Sequence, residues 1–364
     1  MYTNADQLVN KRDDLAMHIA GKEPDLILVT EVIPKAQTIP ISTALLALPG
    51  YTLYTNFDLA KSNLGQSGSR GVCIYVKEGL PAVEVNLAES IPTAAQRQFS
   101  VLEQQWISVD LQNSDRLLVG CIYLSPSGDR FQGLSELDQA LNAVQRQSPS
   151  HLLVAGDFNV PQIDWLNCFS DESPNHHSHT LIRCIQDHFL SQHVTRPTRF
   201  RHDQAPSTLD LILTSEEGMV HELEHLPGLG NSDHVILRFG LACYTEKGTL
   251  ALPQLNYNRG DYNLLRTLLQ RVDWTVLHGS DMLHAYHFFV TTLREVVTAA
   301  VPVTRPKSNK NLYMNSQARK LKREKYSLWS IYTNTKDAVD YARYCRCRNR
   351  LRKLTRDLRR NFEI

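Results

Sequence analysis

Residues 151–159, HLLVAGDFN, constrain this chain more than any other stretch. The apolar residues 152–155 stop at Gly156, and short apolar runs bounded by glycine are typical of buried strands. Side chains alternate along a strand, so this pattern places Asp157 and Asn159 on one face at the strand's end. Gly, Asp and Asn also favour turns, so residues 156–159 alone fit a turn equally well.

Length and composition are those of an ordinary globular protein. The 364 residues predict about two domains, and 42% are apolar and 21% charged. No apolar run reaches the roughly 18 residues of a membrane helix, and no basic-then-apolar leader opens the chain. The seven cysteines are scattered without a Cys-x-x-Cys pair. We therefore expect reduced thiols in an intracellular protein, with no membrane partner.

The net charge of +1 hides a strong asymmetry. Residues 305–364 carry 18 Lys or Arg against 5 Asp or Glu, whereas residues 1–304 carry 21 against 33. An acidic body with a basic end suits a polyanionic partner, with nucleic acid first among them. A solvated helical face is the alternative interpretation of the same charges.

Polar residues recur where the predicted strands begin or end. Strands are predicted around Asn4, before Glu31, at 105–111 and 117–124 as a hairpin, at 207–213, and at 235–237. An amphipathic helix at 131–147 precedes the strand at 151–155. This succession predicts a mixed α/β sandwich. The polar residues at the strand ends are Asn4, Glu31, Tyr123, Asp157, Asn159, Asp210, Asp233 and His234.

These side chains suit phosphodiester hydrolysis. Carboxylates and amides are hard ligands that favour Mg²⁺ or Mn²⁺ over zinc. Hydrolysis of a phosphodiester needs a metal ion, a base for the attacking water and donors to the phosphoryl oxygens. The histidines of residues 176–179, HHSH, argue only weakly for zinc, because two are adjacent and cannot both face one ion comfortably.

The segments YTNA, LVTE, RGVCIYV, CIYLSP, GDFN, STLDLIL and NSDH, in this order, resemble the motifs of the endonuclease/exonuclease/phosphatase superfamily. Within it, TNADQLVNKRDDL, GDFNVPQIDW, FLSQHVTRPTR and LGNSDH resemble the endonuclease domain of non-LTR retrotransposons of the jockey and chicken-repeat type. The resemblance covers about residues 1–241. It implies an α/β (α+β) fold, a four-layer sandwich of two mixed sheets flanked by helices.

The resemblance also implies a role for each matching residue. Glu31 is the expected Mg²⁺ ligand, assisted by Asn4, and Asp233 is expected to help with metal or water. Asp157 is expected to position or deprotonate the attacking water, and Asn159 to hydrogen-bond the pentavalent phosphate.

The remaining roles concern the phosphate. Asp210 is expected to orient His234, which stabilises the phosphoryl oxygens, and a partner of this kind would explain a carboxylate in a buried strand. Tyr123 is expected to contact the phosphate. Arg70 and Ser232 are expected to bind substrate, although each is equally compatible with a structural role.

The implied activity is a nick in one strand of target DNA that leaves a 3′-hydroxyl to prime reverse transcription. We expect an endonuclease domain at 1–241, a linker at 242–260, and a basic helical extension at 261–364 leading toward a reverse transcriptase. The extension would add salt-dependent contacts to DNA or element RNA, and action on chromosomal DNA implies the nucleus.

Two alternatives stay open. One is another phosphoesterase of the same superfamily. The other is a truncated or inactive fragment that binds nucleic acid through its basic end, because a strand as short as the one before Ala5 would seat Asn4 poorly.

Overall fold

The computed structural model describes residues 1–34, 41–56, 69–87, 101–201, 204–243, 259–279, 282–302 and 315–363. Its strands are β1 (Tyr2–Asn4), β2 (Leu26–Thr30), β3 (Tyr51–Thr55), β4 (Val72–Lys77), β5 (Ala82–Glu84), β6 (Leu102–Asp110), β7 (Arg116–Leu124), β8 (His151–Asp157), β9 (Ser191–Gln192), β10 (Asp210–Thr214), β11 (Val220–Leu226) and β12 (Ile236–Leu241). Its helices are α1 (Arg12–Ile19), α2 (Arg130–Arg146), α3 (His177–Asp187), α4 (Tyr262–Gln270), α5 (Val276–Gly279), α6 (Met282–Ala300), α7 (Ser316–Thr335) and α8 (Ala338–Glu363). Most of the predicted linker lies outside the described residues.

Two mixed six-stranded sheets form in the described part of the chain. The first has the order β11-β12-β1-β2-β4-β3, and the second the order β5-β6-β7-β8-β10-β9. The parallel pairs are β1 with β2 and β7 with β8. The predicted hairpin is confirmed, since β6 and β7 pair in antiparallel register with Trp106 opposite Gly120.

Strand β1 is short but central in its sheet. It pairs in parallel with β2 and antiparallel with β12. Its residues are all buried, and Asn4 has no exposed surface. The expectation that so short a strand would seat Asn4 poorly is wrong, because ladders on both sides supply the backbone hydrogen bonds that an isolated strand lacks.

Apolar side chains fill the space between the sheets, where Leu28 and Ile74 of the first sheet belong to the same core as Val119 and Ile212 of the second. Burial of each such side chain stabilises the fold by roughly 1.5–3 kcal/mol. Helix α1 covers the outer face of the first sheet, and α2 and α3 cover that of the second. The predicted four-layer α/β sandwich is thus confirmed.

The local sequence explains where α2 lies. Leu134, Leu137, Leu141 and Val144 recur at helical spacing and are all buried. Asp129 caps the helix, since its carboxylate accepts hydrogen bonds from the backbone N–H groups of residues 131 and 132. The predicted helix at 131–147 is therefore confirmed with a shift of one residue.

The first helix does not begin directly after β1. Asp6, two residues beyond Asn4, adopts a positive φ of 40°. A short 3-10 turn at Leu8–Asn10 follows, and α1 begins only at Arg12. The turn at Asp6 connects β1 to helix α1, which packs on the outer face of the first sheet.

Helices α7 and α8 pack against the sandwich. Trp329 and Tyr344 join the core between the sheets, and the ring of Trp329 lies edge-on to Phe200 at 5.3 Å between centroids. Leu321 and Leu351 pack with Met17 of α1. The inner faces of these basic helices are therefore buried, so a wholly solvated extension is excluded for this pair.

The chain divides into two compact units. One comprises Met1–Glu246 together with Asn309–Ile364, and the other Lys247–Ser308. Residues 261–364, grouped as one extension from the sequence, fall into both units. In the second unit α6 packs with α4 and α5, and Trp274 contacts Phe289 with ring centroids 6.1 Å apart. No helix in the described part of the chain is long and apolar enough to cross a membrane.

Candidate active site

Asn4 connects the two sheets at the point where their strands end. Its side-chain nitrogen donates to Glu31 Oε1 at 3.0 Å and to Asp157 Oδ2 at 2.8 Å. Its side-chain oxygen accepts from the backbone N–H of Asp6 at 3.0 Å, which fixes the orientation of the amide. One buried amide thus holds a carboxylate from each sheet.

Glu31 follows β2 in the left-handed conformation, with φ of 53°. Its second oxygen forms an ion pair with Arg70, and the same guanidinium lies 3.1 Å from Asp6. Glu103 of β6 positions the arginine by accepting from the backbone N–H of Arg70 at 2.7 Å. Arg70 Nε is buried and has no hydrogen-bond partner among the described residues.

Asp210 and His234 form a buried pair. His234 Nδ1 donates to Asp210 Oδ2 at 2.7 Å, and Tyr2 donates its hydroxyl to Asp210 Oδ1 at 2.8 Å. Burial by itself lowers the pKa of His234, but the surrounding carboxylates, Asp210 first, raise it to about 10. The imidazole is therefore cationic at neutral pH.

Asp157 lies between the amide and the imidazole. It pairs with Asp210 across β8 and β10, and its Oδ2 lies 4.0 Å from His234 Nε2. Burial and then the charge of Asp210 raise the pKa of Asp157 to about 7, against the opposing effects of His234 and the Asn4 hydrogen bond. A carboxylate of this kind can take up a proton near neutral pH.

Gly156 allows β7 and β8 to approach closely beside this carboxylate. A Cβ at Gly156 would lie 2.2 Å from the backbone oxygen of Ile122, so no other residue fits without displacing the strands. The register also sets Tyr123 beside Asp157. Burial, followed by the charges of Glu31 and Asp157, raises the pKa of Tyr123, so its hydroxyl stays protonated.

Asn159 does not share a strand face with Asp157. The strand ends at Asp157, and Asn159 is left-handed with φ of 51°. Its backbone N–H donates to Asp157 Oδ1 at 3.1 Å, while its side chain donates to the carbonyl of Leu124 at 3.0 Å. Both interpretations of residues 156–159 are therefore correct in part. The strand continues through Asp157, and the turn after it holds the Asp157 carboxylate through the Asn159 backbone N–H.

Asp233 and Ser232 precede β12. Asp233 Oδ1 lies 3.9 Å from His234 Nε2, and its other oxygen accepts from Arg199 Nε at 3.0 Å. The Ser232 hydroxyl donates to the carbonyl of Asn4 at 2.8 Å, which joins this loop to the end of β1. The structure thus shows Ser232 in a structural contact, and its predicted role in substrate binding remains a prediction.

Several residues that support this site were not singled out from the sequence. The Thr198 hydroxyl oxygen accepts hydrogen bonds from the backbone N–H groups of Leu209 and Asp210, each at 3.1 Å. The Thr198 carbonyl accepts one from the backbone N–H of Val235. This segment therefore joins the starts of β10 and β12. Tyr2 had an available signal, because residues 2 and 4 of a strand share a face. Thr198 had none, since its contacts are remote in sequence.

The histidines of residues 176–179 do not converge on one point. His176 bonds Ser178 through Nδ1, and His177 Nε2 lies 2.9 Å from Arg130. His179 Nε2 contacts the carbonyl of Glu172. Each ring has a separate partner, so the geometry gives no support to zinc there.

The donor set fits a divalent cation on the Glu31 side of the site. Asp157, Asp210 and His234 offer ligand-type atoms within 4.8 Å of one another. The cationic imidazole repels a metal ion, however, so this trio suits proton transfer better. Glu31 is 16% exposed and presents oxygen donors, which are the ligands that Mg²⁺ and Mn²⁺ prefer.

A comparison with protein families matches residues 117–238 to the endonuclease-reverse transcriptase family. The matched segment runs from β7 to β12 and includes Asp157, Asp210 and His234. The match covers about a third of the chain. The resemblance inferred from the motifs, to a retrotransposon endonuclease of the endonuclease/exonuclease/phosphatase superfamily, is thereby confirmed.

Three solved structures are among those with a similar course of the chain. The endonuclease domain of TRAS1, a telomere-specific non-LTR retrotransposon, is 14% identical, with a TM-score of 0.48 over 66% of this chain and 95% of that one. The catalytic domain of Xenopus laevis APE2 is 16% identical, with a TM-score of 0.46 over 67% and 92%. The AP endonuclease LMAP from Leishmania major is 15% identical, with a TM-score of 0.48 over 65% and 85%. No curated protein sequence gives a significant match.

Proposed function

We propose that the chain is a Mg²⁺-dependent endonuclease that nicks target DNA by phosphodiester hydrolysis and leaves a 3′-hydroxyl to prime reverse transcription of a retrotransposon. The observation that carries this proposal is the continuous hydrogen-bonded arrangement in which Asn4 holds Glu31 and Asp157 beside the Asp210–His234 pair. It supplies an oxygen-rich cation site, a base and a cationic donor in one place.

Asp157 acts as the base for the attacking water. Its pKa of about 7 matches a group that must accept a proton near neutral pH. Asn4 and the backbone of Asn159 each bond one of its oxygens, so the carboxylate is already oriented before substrate arrives. Pre-orientation of this kind lowers the entropic cost of the reaction.

His234 donates to the phosphoryl oxygens. Asp210 accepts a hydrogen bond from His234 Nδ1, which leaves the Nε2–H group facing the carboxylates of Asp157 and Asp233. An imidazolium in buried surroundings stabilises developing negative charge far more than a solvated one.

Glu31 and Asn4 would hold the cation, and Asp233 would assist the cation or a water bound to it. When bound, Mg²⁺ neutralises the charge that develops on the phosphate, and Mn²⁺ is the alternative ion. Arg70 balances the charge of Glu31 from the other side and is the further candidate for a substrate contact. Tyr123 and the Asn159 amide contact the phosphate, and Ser232 supports Asn4 or the substrate.

DNA is the proposed substrate, and element RNA is a further partner. The family name implies a linked reverse transcriptase, which we propose acts on the 3′-hydroxyl left by the nick. Action on chromosomal DNA requires that the protein reach the nucleus.

Relaxation of supercoiled plasmid tests the proposal. Purified protein with Mg²⁺ should convert supercoiled to open-circular DNA, and Glu31→Ala, Asp157→Ala and His234→Ala should each abolish this. Asp187→Ala removes an exposed carboxylate at the end of α3 and should leave nicking unchanged. Nicking that survives all three site substitutions would sink the assignment. A wild-type protein that binds DNA but never nicks it would indicate an inactive fragment, and turnover of a small phosphoester without nicking would indicate another phosphoesterase.

A further inference from the structure

Three arginines of α8 lie along one side of a cleft beside the proposed site. Arg352, Arg356 and Arg360 recur at four-residue spacing, which places them on one helix face. They line a cavity of about 690 Å³ together with Asp6 and Asn231. The rise of an α-helix separates residues four apart by about 6 Å, which is comparable with the separation of successive phosphates on one nucleic-acid strand.

Two other lining residues of the cleft, Asp6 and Asn231, are continuous with the proposed catalytic centre. Asp6 follows Asn4 by two residues, gives its backbone N–H to the Asn4 side chain, and contacts Arg70. Asn231 precedes Ser232, whose hydroxyl bonds the carbonyl of Asn4. A strand lying in the cleft would therefore run directly beside the residues that hold Glu31 and Asp157.

Five cations and three carboxylates line the cleft, and two of the carboxylates, Asp6 and Asp13, are paired with cations, whereas Asp14 is buried beside them. Asp6 lies 3.5 Å from Lys11 and 3.1 Å from Arg70, and Asp13 lies 3.1 Å from Arg12. Arg356 and Arg360 are exposed, and neither forms a hydrogen bond or ion pair with another described residue. The guanidinium groups of Arg356 and Arg360 therefore have no anionic partner within the described part of the chain.

The arginines are held in place because α8 is docked. Leu351 is buried with Met17 of α1, and the Thr355 hydroxyl contacts the sulfur of Met17 at 3.2 Å. Lys325 of α7 is fully enclosed and donates to the carbonyl of Gly228 at 3.0 Å, on the loop that leads to His234. Helix α8 therefore presents its charges at fixed positions relative to the site, and a pre-ordered donor loses less entropy on binding.

We infer that this cleft, lined by Arg352, Arg356 and Arg360, binds the phosphate backbone of the DNA strand beside the scissile phosphate. Guanidinium groups bind phosphate oxygens through paired hydrogen bonds. The inference rests on the proposed function for its choice of DNA, since the cleft adjoins the nuclease centre. An RNA strand or an acidic protein would offer anionic groups too, and these are outcomes that the test distinguishes.

The test compares two triple variants of the full chain with equal changes in charge. Arg352→Gln/Arg356→Gln/Arg360→Gln removes the cleft cations, and Arg346→Gln/Arg350→Gln/Lys353→Gln removes three exposed cations of α8 that do not line the cleft. Binding to a labelled DNA duplex is measured by fluorescence anisotropy in EDTA, so that no cleavage occurs, across a series of salt concentrations.

The cleft variant should bind duplex roughly 10- to 100-fold more weakly at moderate salt and should lose about 2–3 from the slope of log K against log salt. The matched control should stay within about twofold of wild type. In plasmid nicking, the cleft variant should raise KM with little change in kcat, because the cleft binds ground state and transition state alike.

Each other result has a defined meaning. Equal effects of the two triple variants would overturn the inference, because net charge alone would then explain binding. A cleft variant that loses affinity for single-stranded RNA or an acidic polypeptide but keeps it for duplex DNA would overturn it too. If the wild-type protein does not nick DNA, and only the cleft variant loses duplex binding, the proposed function is refuted but the binding site is supported. Arg356→Gln/Arg360→Gln changes only exposed side chains, so it repeats the test without risk to folding.

Discussion

Replacement of Asp210 by Asn should remove the charge that keeps His234 protonated. Asp210 Oδ2 accepts from His234 Nδ1 at 2.7 Å, and Oδ1 accepts from Tyr2. Asn has nearly the same shape but no charge, so packing changes little. The pKa of His234 stands at about 10 because neighbouring carboxylates outweigh its burial. Since burial remains in the variant while its main partner becomes neutral, we expect that pKa to fall below neutrality.

The energy at stake is large. A rise from the ordinary histidine value of about 6.5 to about 10 corresponds to roughly 5 kcal/mol of preference for the charged form, at about 1.4 kcal/mol per unit. Loss of the charge and of the correct tautomer at a comparable carboxylate–imidazole pair lowers kcat by about 10⁴. We expect Asp210→Asn to slow nicking by about 10³- to 10⁴-fold at pH 7.5.

The loss of rate in Asp210→Asn can be measured as the single-turnover rate of nicking between about pH 6 and 10. The wild-type rate should rise as Asp157 loses its proton near pH 7 and fall as His234 loses its proton near pH 10. In Asp210→Asn the falling limb should move to below neutral pH. Tyr2→Phe is the matched control, because it removes the hydrogen bond to the other oxygen of Asp210 and should cost less than about 10-fold.

Titration of the imidazole by NMR supplies the decisive check. If His234 in Asp210→Asn keeps a pKa above about 9, the carboxylate does not control its charge and the reasoning fails. A loss of nicking smaller than about 10-fold would contradict it as well, since the pair would then have no catalytic role.

Three further predictions concern stability. In EDTA, Asp157→Asn should raise Tm at pH 8 and much less at pH 4, because the raised pKa of Asp157 gives stability that is present below about pH 4 and lost as pH rises through about 7. Above that pH the wild type bears a buried charge that costs on the order of 4 kcal/mol and that Asn lacks. Trp329→Ala should cost about 3–5 kcal/mol in urea unfolding, whereas Ile331→Ala, at a residue 43% exposed on the same helix, should cost under about 0.5. Gly156→Ala should destabilise by more than about 2 kcal/mol through the clash with Ile122, and Gly218→Ala, which meets nothing within 4 Å, should be nearly neutral by calorimetry.

Local pattern was enough to locate most elements and the carboxylates at their ends. The run before Gly156 ended in a buried strand with Asp157 at its last residue, because an apolar run that stops at a polar residue marks where a strand leaves the core. The same logic placed Glu31 correctly. It failed for Asn159, since alternation assumes that the strand continues and a left-handed residue ends it.

The partner of the basic helices could not be read from the sequence. Ala318, Leu321, Lys325 and Trp329 recur at helical spacing and are the buried face of α7. That stripe predicts a covered face but does not identify what covers it, because the covering residues come from α1 and from the loops around residues 200 and 228. The high content of Lys and Arg also masked the stripe, since long basic side chains can line a buried face while their charges reach polar atoms.

The assembly of the site depends on contacts between segments far apart in the chain. Asp210 and His234 meet because Thr198 binds the start of one strand and its carbonyl binds the start of the other. No periodicity records such a bridge. The order of motifs could suggest the pair only through resemblance, and the structure supplies the physical cause.

The charges at the centre argue for a cationic partner on the Glu31 side. Asp157 and Asp210 are fully enclosed and face each other across adjacent strands, while His234 is the single cation between them. Arg70 is shared between Glu31 and Asp6. Burial of like charges is costly unless each is paired, and burial together with the charge of Asp210 raises the pKa of Asp157 in spite of the nearby His234. A divalent ion held by Glu31 would lower the cost of burying these carboxylates, and it would also neutralise the charge of an incoming phosphate. The groups that destabilise the free protein are therefore the ones that would bind the ion and the substrate most tightly.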